Sequence, residues 1–169
     1  MTTFHVAVNS INKVIYMPSG LRIKVVQEET QNVNYGAGLV DVSSRLARFR
    51  VANITAKKIG QFVAFWEKDE SNTNRAYSYE KAPDFLVITT FKNENVFGQF
   101  IFPKDLLLRK GILSSKSTKG KMAIRVYPSW DVPNNRQGVK TQEWQLPYFI
   151  DMSEYNEKIK EKLVELYSL

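Results

Sequence analysis

The sequence predicts an α/β fold, a single mixed sheet flanked by helices. Three observations carry that reading. Apolar residues recur at helical spacing near both ends of the chain and after residue 55. Residues 38–53 and 84–102 hold strand-like runs, one of them apolar on both faces. Helical and extended segments alternate from residue 56 onward, the order expected when helices cover a sheet.

The elements follow in order. Phe4, Val8, Ile11 and Ile15 mark a helix that Pro18-Ser19-Gly20 ends. Leu21, Ile23 and Val25 alternate with basic residues and predict a short strand. Residues 38–42 and 46–53 form a strand pair around Ser43-Ser44. In the second strand Ala47, Phe49 and Val51 face one way, and Leu46, Arg48 and Arg50 the other. Thr55 is a candidate N-cap, and Ile59, Phe62, Val63 and Trp66 predict a core-facing helix after it. Residues 69–83 are polar, with a short strand expected near 77–80. Residues 84–91 read as a strand buried on both faces, and 96–102 as its hairpin partner across the turn 92–95. Pro103 opens a short helix through Leu106–Leu108 that stops at Gly111. After a Ser- and Lys-rich loop at 114–120, Met122–Tyr127 is a strand and Gln137–Gln145 a helix carrying Trp144. Ser153 or Asp151 is expected to cap a last helix bearing Ile159, Leu163 and Leu166.

One domain is expected over residues 1–169: an N-terminal helix and strand (1–27), a core (28–150) and a C-terminal helix (151–169). With no Cys and only His5, the chain has no disulfide, no thiolate zinc site, no cysteine nucleophile and no His-based triad. No apolar run is long enough for a membrane span, and the N-terminus lacks the pattern of a signal peptide, so a cytoplasmic protein without membrane insertion is expected.

The formal net charge of +7 is unevenly placed. Residues 45–60 hold Arg45, Arg48, Arg50, Lys57 and Lys58 with no acid. Residues 104–125 hold Lys104, Arg109, Lys110, Lys116, Lys119, Lys121 and Arg125 against Asp105 alone. Phosphate binding needs several cations on one surface, so nucleic acid is the expected partner if these blocks converge. Lys119-Gly120-Lys121 is not a P-loop, because Met122 stands where Ser or Thr belongs. Trp130, Trp144, Tyr127, Tyr148 and Phe149 lie near Gln137, Gln142 and Gln145; such rings stack on bases and such amides read base edges. Large aromatics mostly fill cores, and among these rings Trp130 ranks ahead of Trp144 as the candidate for stacking. Glu28 and Glu29 follow a strand and read as a solvated turn, the alternatives being an acidic site completed with Asp84 and an internal pairing of Arg50 with Asp84 or Glu28.

Asp84 begins one hairpin strand and Gln99 lies along the other. If their oxygens converge they can hold one Mg²⁺, which polarises a phosphate and activates water. This order of elements, with Asp at the first strand, resembles the restriction-endonuclease-like nuclease fold. In that fold Glu or Gln, one residue, then Lys follow on the second strand. Here the stretch is Gln99-Phe100-Ile101, with Ile101 in the lysine's place and Lys104 three residues beyond.

The run from Phe49 to Val63 with Trp66 after it, Gly98–Lys104, Arg125–Trp130, Thr141–Gln145 and Tyr148-Phe149 together resemble the MepB family signature. The resemblance covers most of residues 28–150. It implies a cytoplasmic bacterial protein with a restriction-endonuclease-like core that binds nucleic acid. Two positions depart from the pattern: Asn53 where Lys is expected, and Ala56 where Pro is expected after Thr55.

The leading expectation is therefore a nucleic-acid-binding protein, DNA favoured, on a degenerate nuclease scaffold, non-catalytic and without a cofactor. Its binding residues are Arg48, Arg50, Lys57, Lys58, Lys104, Lys119, Lys121, Arg125 and Trp130, aided by the amides of the helix after Thr55. One alternative is a Mg²⁺-dependent nuclease using Asp84 as metal ligand with Gln99 and a relocated lysine, Lys104 or Lys58. Another is a regulatory protein whose basic face meets an acidic partner.

Overall fold

The computed structural model describes residues 3–169; the first two residues of the expected 1–169 span lie outside it. Four α-helices, α1 (Phe4–Ile11), α2 (Lys104–Arg109), α3 (Arg136–Gln145) and α4 (Glu157–Tyr167), surround eleven strands. The main sheet is built of β1 (Ile23–Glu28), β2 (Gly38–Val42), β3 (Arg45–Val51), β8 (Phe85–Phe91), β9 (Phe97–Pro103) and β11 (Phe149–Asp151), in that spatial order. It is mixed: β3 and β8 pair in parallel, and every other neighbouring pair is antiparallel.

The alternation along β3 has the expected sense. Ala47, Phe49 and Val51 face α1 and α4 together with Phe85, Val87 and Ile101. The chain continues from α1 through a π turn, Asn12–Tyr16, and a 3₁₀ turn to Ser19, then stops at Gly20 in the left-handed region. Leu86, Ile88, Phe100 and Phe102 point to the opposite face, where Leu106 and Leu107 of α2 cover them. Because β8 and β9 bury both faces, their sequence lacks polar alternation.

The parallel β3–β8 pair requires a crossover, and here it is built of strands. β4 (Asn53–Ile54), β5 (Gln61–Ala64) and later β10 (Ala123–Val126) form a second sheet in the order β10-β5-β4. β6 (Glu67–Lys68) and β7 (Asn74–Arg75) form a small hairpin, whose turn Asp69 holds by accepting from the amides of Ser71 and Thr73.

This overturns the expected helix after Thr55. Residues 55–60 are a turn, Gly60 sits at φ 86°, and Phe62 and Val63 pair with Arg125 and Ile124. The spacing of Ile59, Phe62, Val63 and Trp66 fits a helical stripe. The run Phe62–Phe65, rich in β-formers and starting two residues after the left-handed Gly60, favours a strand. The phosphate-binding helix N-terminus proposed at Thr55 therefore does not exist.

Three smaller corrections follow. Asn156, not Ser153 or Asp151, caps α4 by accepting from the Ile159 amide at 3.0 Å. Asp151 instead ends β11 and accepts from both the amide and hydroxyl of Ser153. The strand near 77–80 is reduced to one bridge, Ser78 with Ser114.

Candidate functional site

The two arginines that share a face of β3 bind a carboxylate, not a phosphate. Arg50 is fully buried, and all five of its N–H groups are engaged. They donate to Glu29 Oε1 (2.7 Å), to the Ala64 and Phe49 carbonyls, to Asn32 Oδ1 and to the Tyr77 hydroxyl. Arg48 donates to the same carboxylate at 3.3 Å, and its guanidinium stacks 3.5 Å from the centre of the Tyr77 ring. Burial alone would raise the Glu29 carboxyl, but the guanidiniums of Arg50 and Arg48 outweigh it and hold the group below the usual glutamate range. Glu29 is thus no solvated turn residue. Arg48 and Arg50 leave the list of candidate phosphate ligands; they tie the end of β5 to the main sheet.

The hairpin carboxylate and amide do not converge either. Gln99 pairs with Thr89, five residues along β8 from Asp84, which at ~3.3 Å per residue separates them by about 17 Å. Gln99 is fully buried, accepts from the Tyr16 hydroxyl at 2.6 Å and donates to Thr89 Oγ1 at 2.9 Å. Asp84 accepts from the Leu46 amide and pairs with Arg45 at 3.6 Å. Ile101 is sealed between the sheet and the helices. Lys104 donates its backbone N–H to the Asp84 carbonyl, but its ammonium lies over the Tyr79 ring at 4.5 Å. Among the described residues no group of three or more His, Asp or Glu side chains is placed to hold a metal ion. This donor set does not fit Mg²⁺.

The cations converge elsewhere. A cleft of about 580 Å³ opens between the second sheet and α3, and Lys57, Lys58, Lys110, Lys121 and Arg125 line it. No Asp or Glu is among its lining residues. The first two come from residues 45–60 and the other three from 104–125, so the two basic blocks meet here.

Each wall has a local cause. Arg125 Nη1 reaches across from β10 and donates to Thr55 Oγ1 (3.0 Å), the Gly60 carbonyl (3.2 Å) and the Ile59 carbonyl (3.4 Å), fixing the turn that carries Lys57 and Lys58. A β-carbon at Gly60 would lie 2.8 Å from the Tyr127 ring and 2.9 Å from the Val126 carbonyl, so only glycine lets the turn approach β10. The opposite wall is α3, capped by Asn135, whose side chain accepts from the Gly138 amide at 2.7 Å. Gln145 staples α3 to β10 by accepting from the Tyr127 amide and donating to the Arg125 carbonyl. Gln142 donates to the carbonyls of Tyr127, Pro128 and Asp131. These two glutamines hold backbone and are not base readers. Gln137, Thr141 and Trp144, at i, i+4 and i+7, face the cleft.

Trp144 rather than Trp130 is the aromatic of the site. Trp130 is half-buried and packs edge-on against Phe149, with ring centres 5.6 Å apart. Trp144 rests on Phe102 at 5.4 Å, with the Lys110 ammonium 5.3 Å from its ring centre. Lys119 is exposed on the 114–120 loop outside the lining. Of the residues expected to contact phosphate, Lys57, Lys58, Lys121 and Arg125 line this cleft; Lys110 and Trp144, noted in the sequence only as a member of the basic block and as a candidate stacking ring, line it too, and Asn134 and Asn135 were not anticipated. The positions of Gln137, Thr141 and Trp144 on one helical stripe were the available signal.

Among the described residues no helix is long and apolar enough to cross a membrane. No curated protein matches the chain. The crystal structure of MepB is similar to it with a TM-score of 0.76 and 35% identity, covering 92% of this chain and 100% of its own. The MepB-like family model matches residues 29–151. The chain that builds this cleft belongs to the MepB-like family.

Proposed function

We propose that this cytoplasmic protein binds nucleic acid, DNA in preference, without cleaving it, on a degenerate restriction-endonuclease-like scaffold. One observation carries the reading: five cations from two distant stretches of chain line one cleft that has no carboxylate. Like charges gathered this way repel one another, and a polyanion relieves that repulsion while releasing its own counterions. Basic residues that merely solubilise a surface do not need to gather in a concavity. The five-residue offset of Gln99 from Asp84 along the hairpin and the engagement of Gln99 by Tyr16 and Thr89 weigh against the nuclease alternative.

The test is a fluorescence-polarisation titration of labelled DNA at two or more salt concentrations. Affinity should fall with salt, with a log–log slope of about −3.5 to −4.5 if the five cleft cations each meet a phosphate. Lys57→Gln with Lys58→Gln should flatten that slope and leave the fold intact, because both side chains are exposed. Failure to bind DNA or RNA at low salt, or binding indifferent to salt, would reject the reading. An acidic protein ligand bound in place of nucleic acid would favour the regulatory alternative.

A further inference from the structure

We infer that the cleft seats one unpaired nucleotide, its base against Trp144 and its phosphate among Lys57, Lys58 and Arg125, so that the strand this protein binds is single. The inference rests on the nucleic-acid reading above and adds which form of nucleic acid enters. The first argument is size. At about 580 Å³ the cleft falls within the range of small-molecule sites, roughly 300–1,000 Å³, which suits one nucleotide. In a duplex the bases are paired inward, and the rod presents phosphates and groove edges, so a duplex reaches only the rim of such a concavity. A flexible strand can turn one base into it.

The second argument is chemical. Single-strand sites pair cations with an aromatic face. Here Trp144 forms part of the wall, seated on Phe102, and the Lys110 ammonium lies 5.3 Å from its ring centre. Lys110 is exposed at the end of α2, so it can leave the ring for a phosphate. Asn134 and Gln137 bring amides into the same space, which gives a base edge both donors and acceptors.

The third argument is continuity. A second, more open hollow shares Lys110, Gln137, Thr141 and Trp144 with the cleft and adds Arg136, Lys140 and one acid, Glu143. Three cations against one acid line this hollow, so a strand leaving the cleft past α3 continues to meet net positive charge.

The test compares three labelled ligands at one salt concentration: a short oligothymidylate, an abasic strand of the same length, and a blunt duplex of that length. The thymidylate should bind about tenfold or more tighter than the abasic strand, the discrimination expected when one base stacks. It should also bind tighter than the duplex, which carries more phosphate. Trp144→Leu keeps an apolar cover over Phe102 and should erase the difference between thymidylate and abasic strand, with folding checked by circular dichroism. Equal binding of the first two ligands by the unaltered protein, or a preference for duplex, would overturn the inference and leave nucleic-acid binding standing. No binding of any of the three at low salt, or binding of thymidine monophosphate alone, would overturn both.

Discussion

Arg50 Nη1 lies 2.7 Å from Glu29 Oε1, and this buried pair ties β3 to the residue that follows β1, while Arg50 Nε reaches the crossover at the Ala64 carbonyl. The carboxylate also receives Arg48 and the Tyr77 hydroxyl. Removing its charge leaves two desolvated guanidiniums unpaired. Glu29→Gln should therefore lower stability by about 3–5 kcal/mol, measured by chemical denaturation. The same group predicts acid sensitivity. Its folded-state pKa is depressed, so its contribution is complete above the unfolded value of about 4.3 and is lost as pH falls through the folded one. Denaturation midpoints should drop below about pH 4 in the unaltered protein, and the gap to Glu29→Gln should narrow there. A gap independent of pH would contradict the assignment.

Tyr16, Tyr167 and Gln99 form a chain of hydrogen bonds inside the core. Tyr16 gives its proton to Gln99 Oε1, so Tyr167 must donate to Tyr16. Burial pushes both phenols up in pKa, so both are neutral donors. Tyr16→Phe leaves Gln99 Oε1 without its donor and the Tyr167 hydroxyl without its acceptor. The expected loss is about 1–3 kcal/mol in thermal or urea unfolding, with DNA affinity unchanged because the chain lies on the far face of the sheet.

Ile101→Lys restores the residue type that the nuclease pattern expects, and it should not restore a nuclease. The position is fully buried among Phe49, Val87 and α4 residues. An ammonium there has no partner, and a loss of about 4 kcal/mol or more is expected. Folded, soluble Ile101→Lys protein with Mg²⁺-dependent cleavage of DNA would contradict the site geometry.

Gly60→Ala tests the cleft wall without touching a cation. The added methyl meets the Tyr127 ring and the Val126 carbonyl, and the φ of 86° is itself unfavourable for alanine. The turn must shift and carry Lys57 and Lys58 with it. Reduced DNA affinity with the main-sheet fold retained is expected, read by polarisation and circular dichroism. Unchanged affinity would show that the turn's position does not matter.

Much of this was legible in the sequence, for physical reasons. The hairpin β8–β9 and the helix α2 announce themselves through a continuous apolar run, a polar turn, Pro103 and Gly111. Charge blocks are visible because they are local. What was not legible is long-range. Glu29 looked solvated because its partners Arg48 and Arg50 lie some twenty residues away, and nothing local says that a crossover will bury them. Residues 59–66 satisfy a helical period and a strand composition at once, and only pairing with β10 decides between them. Asp84 and Gln99 seemed able to meet because strand positions were counted without the register, and the register places Gln99 opposite Thr89.

The crossover between the parallel strands β3 and β8 is made of short strands and turns, where a βαβ unit would use a helix. A helix would lay one side on the sheet and offer the other as a uniform surface. This connection instead separates its duties. Its inner residues, Val63 and Phe65, complete the core, while the turn at 55–60 touches the rest of the molecule through Gly60 and Arg125. The exposed residues between these anchors, Ala56, Lys57 and Lys58, can therefore change in charge without repacking the sheet. Under the nucleic-acid reading proposed above, this turn is where ligand preference is tuned independently of the body that carries it.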